Sequence, residues 1–398
     1  MDRRATDPTI LAACGLTAIS CLVAYGGLLS DAYPGDTSVY EGYGRALLDH
    51  GRIPYRDFYD EYPPGSVPLF VLPALIWASH YLIVFKLLMT ACAVGATWVT
   101  ASLLLRLRLS PARILPVIVA PVLLGPVFLN RYDPVPALLV VCALSAFLAG
   151  RGRVTGALLG VATALKIFPA VLLPLLVRSR ETRGRIVGWF IGSAALLVLP
   201  FFALAPGGVG YSLKTQLTRH LQIESLGASV LLVGSKLGIH HVGWIAGKPG
   251  SIDLGGAAAD TVGLLSSTAA VALVLLIARR YWLGPATETR LVTAFAAAVV
   301  AFTVFGKVLS PQYLVWLVPL IPLVAGRKGI YASGTFTAAL ALSMPEYLFW
   351  GRYGLREQDW TVYLLLLRNG LLVATFVFLW NALAGGRGQA ARVATTTS

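Results

Sequence analysis

Seven carboxylates fall between Asp31 and Glu61, in a chain of 398 residues with only 18 Asp and Glu altogether. Acids gathered this way can do proton chemistry, because a carboxylate beside a hydroxyl takes its proton as the oxygen attacks. Asp36 is the candidate general base, standing just ahead of a helix-forming stretch. The same place suits a helix cap or a turn residue, and spacing leaves both readings open. A second acidic group, "FYDEYPPG", closes the stretch. Glu61 lies there before Tyr62-Pro63-Pro64, where proline stiffens the backbone; its plain reading is a solvated loop charge. Asp57 and Asp60 share that group without an assigned role.

The elements that hold these acids belong to a very apolar chain. Hydrophobic residues make up 57%, charged residues 13%, and mean hydropathy is +0.74. A soluble domain could not bury so much apolar surface, so the bulk faces lipid. Segments of about 20 apolar residues are the expected unit, and alternating barrel strands are absent. The chain reads as all-α: a polytopic transmembrane bundle of about twelve helices, two of them short, in a single integral-membrane domain over 1–398. The four cysteines (Cys14, Cys21, Cys92, Cys142) sit singly inside apolar segments and read as buried structural thiols. The first segment follows "MDRR" and reads as an uncleaved signal anchor.

Apolar segments fall near 9–30, 80–105, 113–130, 134–150, 154–177, 187–206, 258–279, 288–305, 311–326, 329–349 and 362–384. With the N-terminus inside, arginine-rich loops mark the cytosolic face. Arg3/Arg4, Arg106/Arg108/Arg113, Arg151/Arg153 and Arg178/Arg180/Arg183/Arg185 fall there, followed by Arg279/Arg280/Arg290, Arg327/Lys328 and Arg387/Arg392. Together they are 18 of the 32 Lys and Arg. The net charge of +14 thus reflects orientation in a bilayer and no nucleic-acid patch. Segment 154–177 has arginines at both ends and "KIFP" in its middle. Two short helices meeting at Lys166–Pro169 and returning inward satisfy both charge and proline. Irregular backbone at that depth needs protein or a water-filled cavity around it.

Both termini are then cytosolic, and residues 31–79 and 207–257 are the two long outer loops. "SVPLFVLPALIWAS" (66–79) reads as an interfacial helix. In the first loop "SVYE" fits a capping box and His50-Gly51 a helix end, with Arg45 beside Asp49. No internal repeat relates the two halves.

The stretch "GDTSVYEGYGRALLDHGRIPYRDFYDEYPPG" resembles the first outer loop of GT-C membrane glycosyltransferases, particularly glycosyltransferase family 87. The likeness continues through "RYDPVPALL" (131–139), "GALLGVATALKIFPAVLLPLL" (156–176), "RHLQIESLGASVLL" (219–232) and "SPQYLVWLVPL" (310–320). It implies an enzyme using sugars carried on polyprenyl phosphate, with Asp36 as catalytic base and Glu61 as the second acidic position. In some relatives such a pair holds a metal. Two carboxylates without a histidine partner make no metal the expectation here, a divalent cation being the alternative.

A polyprenyl-phosphate donor places an anionic phosphate at the outer interface, where fixed positive charge would help it depart. Lys166, at the break of the hairpin, is the first candidate. A charge near mid-membrane costs roughly 2.5–3.5 kcal/mol, so it is usually paired or functional; the plain alternative is snorkelling. Arg131 and Asp133 in "NRYDP" either contribute or simply pair in a short turn. Arg219, Gln222 and Glu224 bind phosphate or acceptor, or belong to a surface helix, with His220 among them. Gln312, in "GKVLSPQY", and Arg368 complete the substrate-binding candidates. Trp77, Trp316, Trp350 and Trp360 read as an interfacial belt.

The expected activity is inverting transfer of a mannose or other hexose to a hydroxyl of a glycolipid or polysaccharide, outside a bacterial plasma membrane. The rival is a transporter or lipid-linked-sugar flippase, which predicts repeated halves. An inactive scaffolding relative is a third reading.

Overall fold

The computed structural model describes residues 7–30, 35–246, 252–353 and 359–396. Arg3, Arg4 and Asp31 lie outside the described residues, as do the side chains of Trp350, Arg387 and Arg392. The chain folds as two compact units, Met1–Leu103 with Val117–Arg219, and Leu104–Pro116 with His220–Ser398. Five helical stretches among the described residues are long and apolar enough to cross a membrane: Pro64–Arg106, Arg180–Leu204, Ala257–Trp282, Glu288–Phe305 and Trp360–Ala384.

Helices of the first unit run in chain order as α1 (Pro8–Val23), α2 (Thr37–His50), α3 (Val67–Trp77), α4 (Tyr81–Arg106), α5 (Leu115–Leu124) and α6 (Pro126–Leu129). After them come α7 (Pro134–Leu148), α8 (Gly152–Leu165), α9 (Leu173–Leu176), α10 (Arg180–Leu204) and α11 (Pro206–Leu217). The first apolar run, expected to continue to residue 30, leaves helix at Val23. Buried Lys86 holds the chain beyond it, donating to the carbonyls of Gly26 at 3.1 Å and Gly27 at 2.9 Å.

Helix α2 begins one residue earlier than the expected capping box. Ser38 donates to Gly35 O, and Glu41 pairs at 2.8 Å with Arg45, so Arg45 does not pair with Asp49. Its far end closes as the sequence suggests. Gly51 is left-handed (φ 61°), and the Arg52 and Gly51 amides return to Ala46 O and Leu47 O.

The α8 segment carries the break. Lys166 leaves helical geometry at φ −149°, ψ 140°, and a 3₁₀ turn over Phe168–Leu172 leads into the single turn of α9. Gly156 and Gly160 sit against α10 so closely that an added Cβ would lie 2.3 Å from Ile186 O and 2.2 Å from Phe190 O. Gly152 faces Thr182 and Ile186 in the same register, so α8 and α10 run parallel. Small residues four apart permit this approach. Parallel helices start at one end, so residues 166–179 return to where α8 began. Arg151, Arg153 and the 178–185 arginines share that end. Lys166 stands at the other, about 21 Å along the 14-residue helix.

The second unit contains α12 (Leu226–Lys236), α13 (Ala257–Trp282), α14 (Glu288–Phe305), α15 (Gly326–Tyr353) and α16 (Asp359–Thr396). Strands β1 (Leu221–Gln222), β2 (Gly243–Ala246) and β3 (Ile252–Gly255) form an antiparallel sheet in the order β1-β3-β2. Leu221 and Trp244 both register with Leu254, which packs with Leu232 of α12 and Leu365 of α16. This sheet is the exception to the all-helical expectation, and its strands are too short to display a period of two.

Residues 311–326, read as a membrane helix, form two 3₁₀ turns, Pro311–Trp316 and Ile321–Leu323. Pro311, Pro319 and Pro322 remove the amides an α-helix would need. Arg106 pairs with Glu288 at the start of α14, while Arg113 donates to Val324 O and Gly326 O at the limb's end. The limb therefore runs back along α14. Each unit thus holds a helix, a lysine just past its end (Lys166 or Lys307) and a proline-rich 3₁₀ return, a likeness the sequence reading did not find.

Candidate active site

By position Asp36 is the N-cap residue of α2, yet its side chain makes no capping bond. It turns instead to two groups from elsewhere in the first unit. The Tyr62 hydroxyl donates to Asp36 Oδ2 at 2.9 Å, and the Arg131 guanidinium pairs with the same oxygen. The start of α2 is held by Thr37, whose hydroxyl donates to Asn130 O at 3.2 Å. Helix and turn are therefore sewn together on both sides of Asp36.

That turn, residues 130–133, overturns the expectation that Arg131 and Asp133 pair with one another. While Arg131 takes Asp36, Asp133 accepts a hydrogen bond from Lys166 Nζ at 2.7 Å. Asp133 is fully buried and the Lys166 side chain is 12% exposed, so each satisfies the other's charge out of water. Tyr132 lies between Arg131 and Asp133 in sequence. Its ring centroid is 4.6 Å from Lys166 Nζ, and its hydroxyl donates to Leu165 O, a carbonyl of the last turn of α8. Three consecutive residues thereby tie the proposed base to the proposed phosphate lysine.

Tyr62 is set by its own loop. Its amide donates to Asp60 Oδ1 at 2.9 Å, its carbonyl accepts from Tyr55 OH at 2.7 Å, and its ring meets Tyr40, Phe70 and Tyr132 edge-on. Asp60 is fully buried, and burial pushes its carboxyl up to about 8, with Glu61 adding to the rise. The phenol of Tyr62 is also pushed up by burial. Glu61 is half-buried, and its carbonyl accepts from Gln216 of α11 at 2.8 Å. Where the loop meets α8, a Cβ on Gly65 would lie 2.6 Å from Ala164 O.

The remaining candidates distribute as follows. Arg219 is half-buried at the end of the first unit. Gln222, Glu224 and Arg368 come together in the second. Gln222 Nε2 donates to Glu224 Oε2 at 3.0 Å, and fully buried Arg368 donates to Glu224 O at 2.6 Å. Asn369 joins them, donating to Glu224 O and to Ser229 Oγ. Gln312 is half-buried beside Tyr313, which stacks on Trp316 at 4.3 Å. Trp316 is buried, contrary to its reading as a belt residue, whereas Trp77 and Trp360 are exposed. His220 approaches Asp260 at 3.6 Å on an exposed surface.

Sequence reasoning missed Tyr62, Tyr132 and Asn369. Tyr62 had a signal, an aromatic hydroxyl between an acid and two prolines, while Asn369 had none beyond adjacency to Arg368. Asp36 faces a guanidinium, and among the described residues no three His, Cys, Asp or Glu side chains converge.

Fold and site together define a polytopic helical membrane protein with partly buried acid–base pairs beside a broken helix. The model of glycosyltransferase family 87 matches residues 61–311, and the chain belongs to that family. It is therefore a membrane glycosyltransferase. Its fold is similar to the crystal structure of ArnT from Cupriavidus metallidurans bound to undecaprenyl phosphate, with a TM-score of 0.50 and 13% identity. That likeness covers 97% of this chain and 79% of the other. No curated protein matches the sequence significantly.

Proposed function

We propose that the protein transfers one sugar, a hexose such as mannose, from polyprenyl phosphate to a hydroxyl of a glycolipid or polysaccharide. The observation that carries this reading is the orientation of Asp36, turned from its helix toward Tyr62 and Arg131. Both partners engage Oδ2, so Oδ1 is the oxygen that receives the acceptor's proton. As that proton moves, the acceptor oxygen bonds to the anomeric carbon. The bond from this carbon to the phosphate oxygen breaks, and its electron pair leaves with the polyprenyl phosphate. A single displacement of this kind inverts the anomeric centre.

The leaving phosphate is a stable anion and needs fixed positive charge more than a general acid. Lys166 supplies it, with Arg131 beside the base. Glu61 is retained as the second acid, and Arg219, Gln222, Glu224, Gln312 and Arg368 as substrate contacts. The undecaprenyl phosphate of ArnT supports the donor class. Family membership displaces the transporter and flippase reading. The arginine-rich end of α8 supports a site on the outer face of the plasma membrane with cytosolic termini, since arginine marks inner loops.

The test is transfer of labelled hexose from a synthetic polyprenyl-phosphate donor by the protein in nanodiscs, with mass spectrometry of envelope glycolipids and polysaccharides with and without the gene. Unaltered glycans and no turnover of any such donor would overturn the reading.

A further inference from the structure

Asp60 is one of two acids in "FYDEYPPG" and its approach that sequence leaves without a role, and the structure puts it out of water. Its side chain is fully buried, Oδ1 accepts the Tyr62 amide at 2.9 Å, and Oδ2 is buried with no hydrogen-bond partner. Across the same residue, Tyr55 OH grips the Tyr62 carbonyl at 2.7 Å. Tyr55 is itself held in a left-handed conformation, φ 69°, and packs so tightly on α11 that a Cβ at Gly208 would meet its carbonyl. Tyr62 is thus clamped at amide and carbonyl, while its hydroxyl reaches Asp36 Oδ2 at 2.9 Å.

We infer that Asp60 is a positioning residue for the transfer reaction: in its neutral form it holds the Tyr62 backbone so that the phenol orients Asp36. This rests on the reading of Asp36 as base. The titratable groups around Asp60 are Glu61 in its own loop, Tyr55 and Tyr59 in the turn before it, Tyr43 of α2, and Tyr62 itself. Burial and Glu61 both favour the protonated acid, whose carboxyl lies at about 8. A buried carboxylate must regain water or stay unsolvated. Ionisation therefore drives the loop open, and Tyr62 leaves Asp36.

The sign of the effect follows. A raised acid stabilises the folded loop at low pH, and that stabilisation is lost as pH rises through the folded value, here about 8. Transfer by the wild type should fall on the alkaline side of that value. The Tyr62 phenol is pushed up well beyond this range and cannot be the group that titrates.

The experiment is a rate–pH profile of hexose transfer by the full chain in nanodiscs, from about pH 6 to about pH 9.5. Asp60→Asn, which imitates the neutral acid, should stay within a few-fold of wild type near about pH 7 and keep its rate where the wild type falls. Asp60→Leu, which cannot accept from the Tyr62 amide, should lose turnover at every pH with little change in donor KM. An alkaline limb unchanged in Asp60→Asn overturns the inference, as does a folded Asp60→Asn that is inactive near neutral pH. Should Asp60→Asn fail to fold, infrared difference spectra of the wild type across the same range replace it. A protonated carboxyl band must vanish on raising the pH, and its absence at neutral pH overturns the inference. If Asp36→Asn transfers normally while Asp60→Asn abolishes the alkaline limb, the assignment of the base falls, and with it the orientation of Asp36 as the purpose of the clamp; only the titration of Asp60 stands.

Discussion

The Tyr62 hydroxyl donates to Asp36 Oδ2 across 2.9 Å, joining the turn that ends the first loop to the residue that starts α2. Removing that hydroxyl leaves the ring and its edge-on contacts with Tyr40, Phe70 and Tyr132 in place. Tyr62→Phe should therefore fold and melt close to wild type. A hydrogen bond to a charged group is worth about 1.5–3 kcal/mol, so loss of orientation should lower turnover by roughly ten-fold or more. Unchanged turnover would mean that Arg131 alone orients the base.

The Lys166–Asp133 pair calls for a double-mutant cycle. Lys166→Ala leaves Asp133 as a buried charge without its lysine, and breaking such a pair costs about 3–5 kcal/mol. A fall in activity from that variant alone would mix folding with donor binding. Lys166→Ala/Asp133→Asn removes both charges, so it should recover most of the thermal stability. Donor use should stay impaired, and Lys166→Arg should keep more of it. Recovery of donor KM in the double variant would move the phosphate away from Lys166.

Much of this was legible from residue types. The break at Lys166, the helix end at Gly51 and the gathering of acids each have a local cause in proline, glycine or charge. The partners were not legible, because Asp36 and Arg131 are 95 residues apart and nothing local tells Arg131 to prefer Asp36 over its neighbour Asp133. Hydropathy also misread 311–326: an apolar run says buried, and burial is satisfied here by 3₁₀ turns once three prolines remove the amide donors. Asp60 looked like its neighbour Asp57. Yet Asp57 is partly exposed beside Arg56, which holds its carboxyl down at about 2, while Asp60 is buried.

The parallel run of α8 and α10 predicts the topology. Glu181 at the start of α10 shares an end with Arg151, and the first loop belongs to the opposite end with Lys166. With Cys14, Cys21, Cys92 and Cys142 replaced by serine, Asp57→Cys should react with an impermeant maleimide in intact cells. Glu181→Cys should react only after permeabilisation. Labelling of position 181 from outside would refute the returning limb.

The base can be tested apart from the helix it precedes. Because the Asp36 side chain makes no capping bond, Asp36→Asn removes no cap from α2, although it weakens the ion pair with Arg131. Asparagine is also among the best N-cap residues, so even a capping role would survive the change. The amide can still accept from Tyr62, but it cannot take a proton from the acceptor. General-base catalysis is worth ~10²–10⁴-fold, so the variant should fold, bind the polyprenyl-phosphate sugar and lose at least ~10²-fold in transfer. Asp57→Asn is the control, an acid of the same loop whose partner is Arg56, and it should lose far less. Transfer of labelled sugar, donor binding and thermal unfolding are measured on the same preparations. Near-normal turnover in Asp36→Asn would remove Asp36 from the chemistry, whereas a variant that fails to fold would return it to the role of structural anchor for Arg131 and Tyr62.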